Sequence, residues 1–193
     1  MSSNSRAPGR PLDAHVQACL LRATQDLLIE EGFERLTVDA VAKRCGASKA
    51  TIYRRWSNKV ALVVAAASAL FPLPEVPNTG DLREDLFACA RAYIQEDRQM
   101  VVLASLLTAA RHDPVLRDAA RDALGSPFSR LFEQVLTRAV SDGLIEKGID
   151  IDIISQVFPA IAFQYAAALG LPIDEKLIRR VIDEVLLPSL HMT

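Results

Sequence analysis

The sequence predicts an all-α fold of about nine helices, with an N-terminal three-helix unit followed by a larger helical domain. Two observations carry this. Apolar residues recur at the three-and-four spacing of one helix face in segment after segment, and no segment alternates as a half-buried strand does. Aromatic residues are only 6% of the chain, so its 50% hydrophobic content comes mostly from Ala, Leu, Val and Ile, a composition that leans to helices over an aromatic-rich sandwich. At 193 residues a sizeable core is within reach.

Residues 1–12 are rich in Ser, Pro, Gly and Arg and bury too little apolar surface to order themselves, so a flexible basic arm is expected there. From Asp13 the pattern turns helical: Val16, Leu20, Ala23 and Leu27 share a face, and Gly32 stands where a C-terminal cap belongs. Thr37 offers an N-cap hydroxyl to a short helix ending near Arg44, with Val38, Val41 and Ala42 inward. Gly46 supplies a turn, Ser48 caps a third helix anchored by Ile52, and Ser57 is expected to cap a fourth that ends near Leu70. Two helices of about seven or eight residues around a glycine-containing turn form a helix-turn-helix. Residues 13–60 therefore make one domain and 61–80 a linking helix and loop, in which three prolines and a glycine within 71–80 mark the boundary between lobes.

Residues 81–193 form the second lobe. Leu82, Leu86, Cys89 and Tyr93 share a helix face, and Val101 to Ala110 is apolar almost all round, as a buried central helix would be. Asp113 and Pro114 read as a cap and a first-turn proline, and Gly125-Ser126-Pro127 predicts a kink in a helix continuing to Gly143. Two further stripes, around Ile154 to Leu169 and Ile178 to Leu186, complete the chain, with Pro159 expected to bend the first.

The net charge of −2 is a sum of opposites: residues 1–60 carry ten Lys+Arg against six Asp+Glu, a net of +4, while residues 61–193 carry twelve against eighteen, a net of −6. From Ala40 to Pro74 there is no acidic residue, yet Lys43, Arg44, Lys49, Arg54, Arg55 and Lys59 all lie there. This basic cluster coincides with the helix-turn-helix, whereas a solvated face normally mixes both signs. Duplex DNA suits the arrangement, because a major groove admits an α-helix whose N-terminal half meets base edges while flanking groups grip phosphate. Ser48, Lys49, Ala50 and Thr51 occupy that half. Thr37, Arg44, Tyr53, Arg54 and Lys59 have donors placed for phosphate, and Trp56 is assigned to packing. Arg6 and Arg10, on an extended arm, suit a narrow minor groove.

The segments Gly32-Phe33, Leu36-Thr37-Val38, Val41-Ala42, Cys45-Gly46-Ala47-Ser48-Lys49-Ala50-Thr51-Ile52-Tyr53 and Trp56-Ser57-Asn58-Lys59-Val60-Ala61-Leu62 resemble the DNA-binding domain of the tetracycline-repressor (TetR) family. The resemblance spans about residues 13–62. It implies an all-α homodimer with a three-helix DNA-binding domain, a linking helix and a divergent ligand-binding domain, with Ser48 to Thr51 in the recognition helix and Tyr53 and Lys59 at phosphate-contacting positions. Val60 departs from the acidic residue common there. Val76 to Arg83, Arg111 to Pro114 and Arg138 to Gly143 are similar to one actinobacterial-type subclass of the family's C-terminal domains.

Reading successive major grooves of a palindromic operator requires two heads about 34–36 Å apart, hence a two-fold dimer. Ile154, Phe158, Ile161, Tyr165, Ile178, Val181, Ile182 and Val185 are the expected interface. An unknown small-molecule effector is expected in a pocket lined by Tyr93, Leu103, Leu107, Arg111, Phe128, Phe132, Phe163 and Gln164, and the scarcity of buried charge there favours a neutral or cationic lipophilic compound over a polyanion. The resulting function is a homodimeric transcriptional repressor released from its operator by that effector; the alternatives are a constitutive DNA-binding dimer and, remotely, a small helical enzyme. His112 with Asp113, or Asp150 with Asp152, would be the enzyme's acid–base groups, but no nucleophile, glycine-rich phosphate loop or metal set accompanies them. No cofactor is expected. No apolar stretch reaches the ~20 residues of a membrane span, and residues 1–11 lack a signal-peptide core, so the cytoplasm is the expected compartment. Cys19, Cys45 and Cys89, widely spaced and odd in number, are expected as reduced thiols.

Overall fold

The computed structural model of the chain describes residues 10–94 and 96–190. Within them lie nine helical runs and no strand, as the periodicity predicts. Helix α1 (Arg10–Arg35) is the longest. Gly32 breaks its geometry at φ +78°, a value that glycine adopts without strain, and one more turn follows to Arg35. Residues 10–12, expected in the arm, are helical, and the fixed φ of Pro11 is compatible with that conformation. Residues 10–12 therefore belong to α1 and not to an extended arm; Arg6 lies outside the described residues.

Thr37 caps α2 (Val38–Arg44), its hydroxyl accepting the Ala40 amide hydrogen at 3.1 Å. Ser48 caps α3 (Lys49–Tyr53) by accepting from Thr51 N at 3.2 Å. With five residues α3 is shorter than the sequence suggests. Helix α4 (Lys59–Ser68) begins one residue later than expected: Asn58, not Ser57, is its N-cap, its Oδ1 accepting from Ala61 N at 2.8 Å. Such caps contribute about 1 kcal/mol each.

After the proline-rich linker come α5 (Leu82–Arg91) and α6 (Asp97–Ala110). Next, α7 (Pro114–Ala120) runs through a π-helical segment, Arg121–Gly125, into α8 (Ser126–Ser141). The wide turn sits where a kink is predicted: Pro127 lacks an amide hydrogen, and the Ser126 amide reaches back to the Arg121 carbonyl instead. Helix α9 (Ile151–Phe163) passes unbroken through Pro159 and continues as a π-helical run, Gln164–Leu169, closed by left-handed Gly170 at φ +63°. Helix α10 (Glu175–Val181) continues through Ile182–Leu186 into α11 (Leu187–Ser189).

Two cores organise these helices. The C-terminal core joins α5, α8, α9 and α10 around Phe87, Phe132, Phe158 and Ile178. The N-terminal core holds Leu20, Leu28, Leu36, Val41, Ile52 and Leu62 of α1 to α4, and also Val102, Leu106 and Ala110 of α6 and Leu116 and Ala120 of α7. The packing boundary thus does not follow the linker. Two helices that come after it in sequence sit on the N-terminal domain. Polar bonds reinforce the seam: Arg98 of α6 donates to Asp26 at 2.7 Å and to Gln25 at 3.1 Å, while Gln25 Nε2 donates to the Ala66 carbonyl of α4 at 2.8 Å.

Candidate DNA-reading head and effector cavity

The turn between α2 and α3 places the two helices by local geometry. Gly46 takes φ +60°, and the Ala47 amide donates to the Ala42 carbonyl at 2.9 Å, a closure that satisfies the end of α2. Ile52, wholly buried, anchors α3 to the core; burying such a side chain is worth about 1.5–3 kcal/mol. Trp56 packs against the same core, as assigned. With Ile52 inward, Lys49, Ala50 and Tyr53 are exposed.

The basic side chains divide by engagement. Arg54 and Lys43 are exposed and make no ion pair among the described residues. Lys49 pairs with Asp39 at 2.7 Å, and Arg44 grips Glu30 of α1 with bonds of 2.8 and 3.0 Å. That hydrogen-bonded guanidinium holds the Glu30 carboxylate below its ordinary pKa and raises its own. Arg44 therefore serves as a tie between α1 and α2, a role its place in the basic cluster does not reveal. Lys59 sits over the Phe33 ring at 4.2 Å and donates to the Glu34 carbonyl at 3.2 Å, which fixes an ammonium at the start of α4. Thr37 and Ser48 are both occupied as caps, and Ser48 Oγ also lies 2.9 Å from Thr51 Oγ1.

The cysteine expectation is corrected for two of three residues. Cys19 and Cys45 form a disulfide, with Cα atoms 6.0 Å apart. A separation of 26 residues hides the pair from a spacing argument, yet α1 packing beside α2 brings the two together. Cys89 is free and buried, and desolvation pushes its thiol up to about 12.

A cavity of about 460 Å³ opens in the second lobe, within the roughly 300–1,000 Å³ that small-molecule sites occupy. Of the eight residues assigned to it by sequence, Tyr93, Leu103, Leu107, Arg111, Phe128 and Phe163 line it. Phe132 lies beneath, stacked on Phe158 at 5.5 Å in the C-terminal core, and Gln164 is exposed outside it. Helix α6 is apolar almost all round for this reason: Val102 and Leu106 face the N-terminal core while Leu103 and Leu107 face the cavity. Arg117 and Arg121, which sequence reasoning missed, also line it. Their four-residue spacing along α7 and its π-helical continuation is the signal that points them the same way. No acidic side chain among the described residues lines the cavity, so the cationic effector expected from sequence finds no counter-charge there. The Tyr93 hydroxyl is buried without a hydrogen-bond partner among the described residues, and burial raises its pKa.

The expected dimer stripe is largely consumed within the protomer. Phe158, Ile178, Val181 and Ile182 are buried in the C-terminal core, because the helices around them need that face for their own packing. Ile154, Ile161 and Tyr165 are half-buried, and Val185 is 45% exposed. Ile153, beside the predicted stripe, is 60% exposed.

Sequence reasoning also missed Asp85. Its buried carboxylate accepts from Arg138 at 2.8 Å, from Thr79 Oγ1 at 2.7 Å and from Thr79 N at 2.8 Å, while Arg138 also donates to the Pro77 carbonyl. The linker is thereby latched to α5 and α8.

Among the described residues no helix is long and apolar enough to cross a membrane. Two families match: "Bacterial regulatory proteins, tetR family" over residues 20–66 and "Tetracyclin repressor-like, C-terminal domain" over residues 76–185. The chain is 39% identical over 176 residues to a DNA-binding transcriptional repressor, TetR, of Mycobacteroides abscessus, covering 88% of this chain and 91% of that protein. The crystal structure of the TetR family regulator SCO0332 is similar at a TM-score of 0.64 and 28% identity, covering 89% of this chain and 97% of that one. The flavonoid-responsive regulator FrrA is similar at 0.68 and 25%, covering 92% and 96%. These relatives are transcriptional regulators and not enzymes. With a helix-turn-helix head carrying unpaired cations, a helical body around a cavity, and both halves matched, the chain belongs to the TetR family of DNA-binding transcriptional regulators.

Proposed function

We propose that this protein is a homodimeric repressor released from a palindromic operator by a small molecule bound in the second-lobe cavity. One observation carries the reading: Leu106, Ala110 and Ala120 line the cavity and belong to the N-terminal core at the same time. A ligand that shifts α6 or α7 therefore acts directly on α1 and α4, the helices against which the reading head is packed. The similarity to a repressor and to a regulator named as flavonoid-responsive supports both halves of the proposal.

On the DNA, Ser48, Lys49, Ala50 and Thr51 enter the major groove, and Thr37, Tyr53, Arg54 and Lys59 bind phosphate. Arg44 joins them only by leaving Glu30. Arg10 in the first turn of α1, with Arg6 before it, approaches the backbone or minor groove beside the head. The dimer forms through the exposed apolar residues of α9 and the final helical run, Ile153 and Val185 foremost, with Ile154, Ile161 and Tyr165 at its margin.

A gel-shift titration on duplexes selected from a random pool, repeated across a panel of small molecules, tests the proposal. The expected result is a palindromic consensus bound as a dimer and released by at least one compound that occupies the cavity. Binding that no cavity ligand alters identifies a constitutive DNA-binding dimer; failure to select any palindrome at low salt overturns the reading.

A further inference from the structure

We infer that the cavity selects an amphiphilic monoanion: a compound with one apolar body and one terminal carboxylate. The inference rests on the effector-pocket reading and names the chemistry of its ligand.

The cavity is polarised. Its floor and walls are apolar, with Leu103, Leu107 and Phe128 among them, and its formal charge comes from three guanidinium groups, those of Arg111, Arg117 and Arg121. All three residues are exposed, so their charged ends stand where solvent still reaches the cavity. A neutral lipophile gains no charge pairing from these arginines, and a cation is repelled by them. A compound with a single anionic end satisfies both parts at once, its body excluded from water and its head paired where solvent still reaches.

The three arginines are not equivalent. Arg121 is held by Asp118 at 3.1 Å and by Asp122 at 3.2 Å, and Arg117 lies 4.0 Å from Asp118. Nearby, Asp113 is used as the cap of α7, accepting from Leu116 N at 3.0 Å. Arg111 makes no ion pair among the described residues. It stands directly after α6, whose inner face packs on the reading head. Arg111 is therefore the specificity-determining group, offering a planar two-donor fork that matches a carboxylate, and Arg117 and Arg121 supply a partly neutralised positive background. Because the aspartates offset part of that background, a monoanion fits better than a polyanion.

Calorimetric titration of the whole protein with laurate, dodecanol and dodecylamine, three probes with like apolar bodies and different heads, tests the inference without reference to DNA. Laurate is expected to bind at least tenfold more tightly than dodecanol, and dodecylamine most weakly. In R111Q, which preserves much of the side-chain volume, the laurate preference should fall about tenfold while dodecanol binding stays unchanged; thermal unfolding of both proteins checks that the fold is intact. Equal binding of the three probes, or an unchanged preference in R111Q, overturns the inference. Operator release is then read separately. Tight laurate binding without release upholds the anion selectivity and contradicts the repressor mechanism, whereas release by neutral compounds with no laurate binding does the reverse.

Discussion

Arg98 and Asp26 meet at 2.7 Å across the seam between α6 and α1. Arg98 also bonds Gln25, which in turn holds the Ala66 carbonyl, so a single guanidinium connects a cavity-lining helix to two helices of the reading head. Two rigid elements joined by packing and by a short polar chain can move as one, which is the physical requirement for coupling between sites. R98A should keep operator affinity and effector affinity within about threefold of wild type, yet reduce the effector's influence on operator affinity by about fivefold or more. Fluorescence anisotropy with and without effector measures both. Undiminished coupling would show that packing alone transmits the signal.

The Asp85 latch should matter more for folding than for response. Removing its carboxylate takes from Arg138 its paired charge and from the Thr79 hydroxyl and amide a shared acceptor in a part-buried site, so D85A should lose about 2–4 kcal/mol of stability. D85N, which keeps the shape and an acceptor for Thr79, should lose less. Urea unfolding of the two variants decides, and a loss below about 0.5 kcal/mol in D85A would remove the latch from the stabilising interactions.

Alkaline pH should destabilise the fold through Cys89. Its folded pKa of about 12 lies above the thiol's ordinary value of 9.0, so its contribution is fully present below pH 9. The unfolded chain deprotonates first as pH rises, and stability is lost progressively toward pH 12, by up to about 1.4 kcal/mol per pH unit for the one group. Tyr93, shifted in the same direction, adds to the trend at higher pH. In C89A the dependence between pH 9 and 10 should flatten. An identical slope in C89A and wild type assigns the effect to other groups.

On DNA, the cations should separate by role. K59A should weaken binding to all sequences alike and reduce the slope of log K against log salt by about one. K49A should relax base preference, costing about 1–3 kcal/mol on the cognate site and less elsewhere. Because Asp39 holds Lys49 in the free protein, D39N should tighten binding several-fold. Filter binding across salt and sequence distinguishes these outcomes: an unchanged slope in K59A removes it from the phosphate contacts, and a uniform loss in K49A makes Lys49 a phosphate contact.

Much of the head is legible in the sequence because its determinants are local. Gly46 and the caps at Thr37 and Ser48 each act on the few residues beside them, Ile52 is set inward by the short helix they define, and each does in the structure what its spacing implies. Most of the cavity is legible for a related reason, since Leu103, Leu107 and Phe128 sit on helix faces that periodicity defines, and Tyr93, in the turn just past α5, lines it with them. What escapes is set by tertiary pairing. Cys19 with Cys45, Arg98 with Asp26 and Asp85 with Arg138 are 26, 72 and 53 residues apart, and no periodicity links them. The expected dimer stripe shows another limit: Phe158 and Ile178 lie on helices as expected and are buried within the protomer, and a one-chain pattern does not say whether such a face is filled by the protomer's own core or by a partner.

Ile153 and Val185 are exposed apolar groups on elements that pack together, and an I153D/V185D variant should sediment as a folded monomer, with its operator affinity falling at least a hundredfold because the two heads are no longer joined. A variant that remains dimeric places the interface elsewhere.

Occupancy of the cavity is expected to lower affinity for the operator. The direct measurement is the affinity of the purified protein for a selected palindromic duplex, with the cavity empty and with it saturated by a compound shown calorimetrically to bind there. An affinity at least tenfold lower at saturation is expected, and an affinity unchanged at full occupancy would overturn release by a cavity ligand.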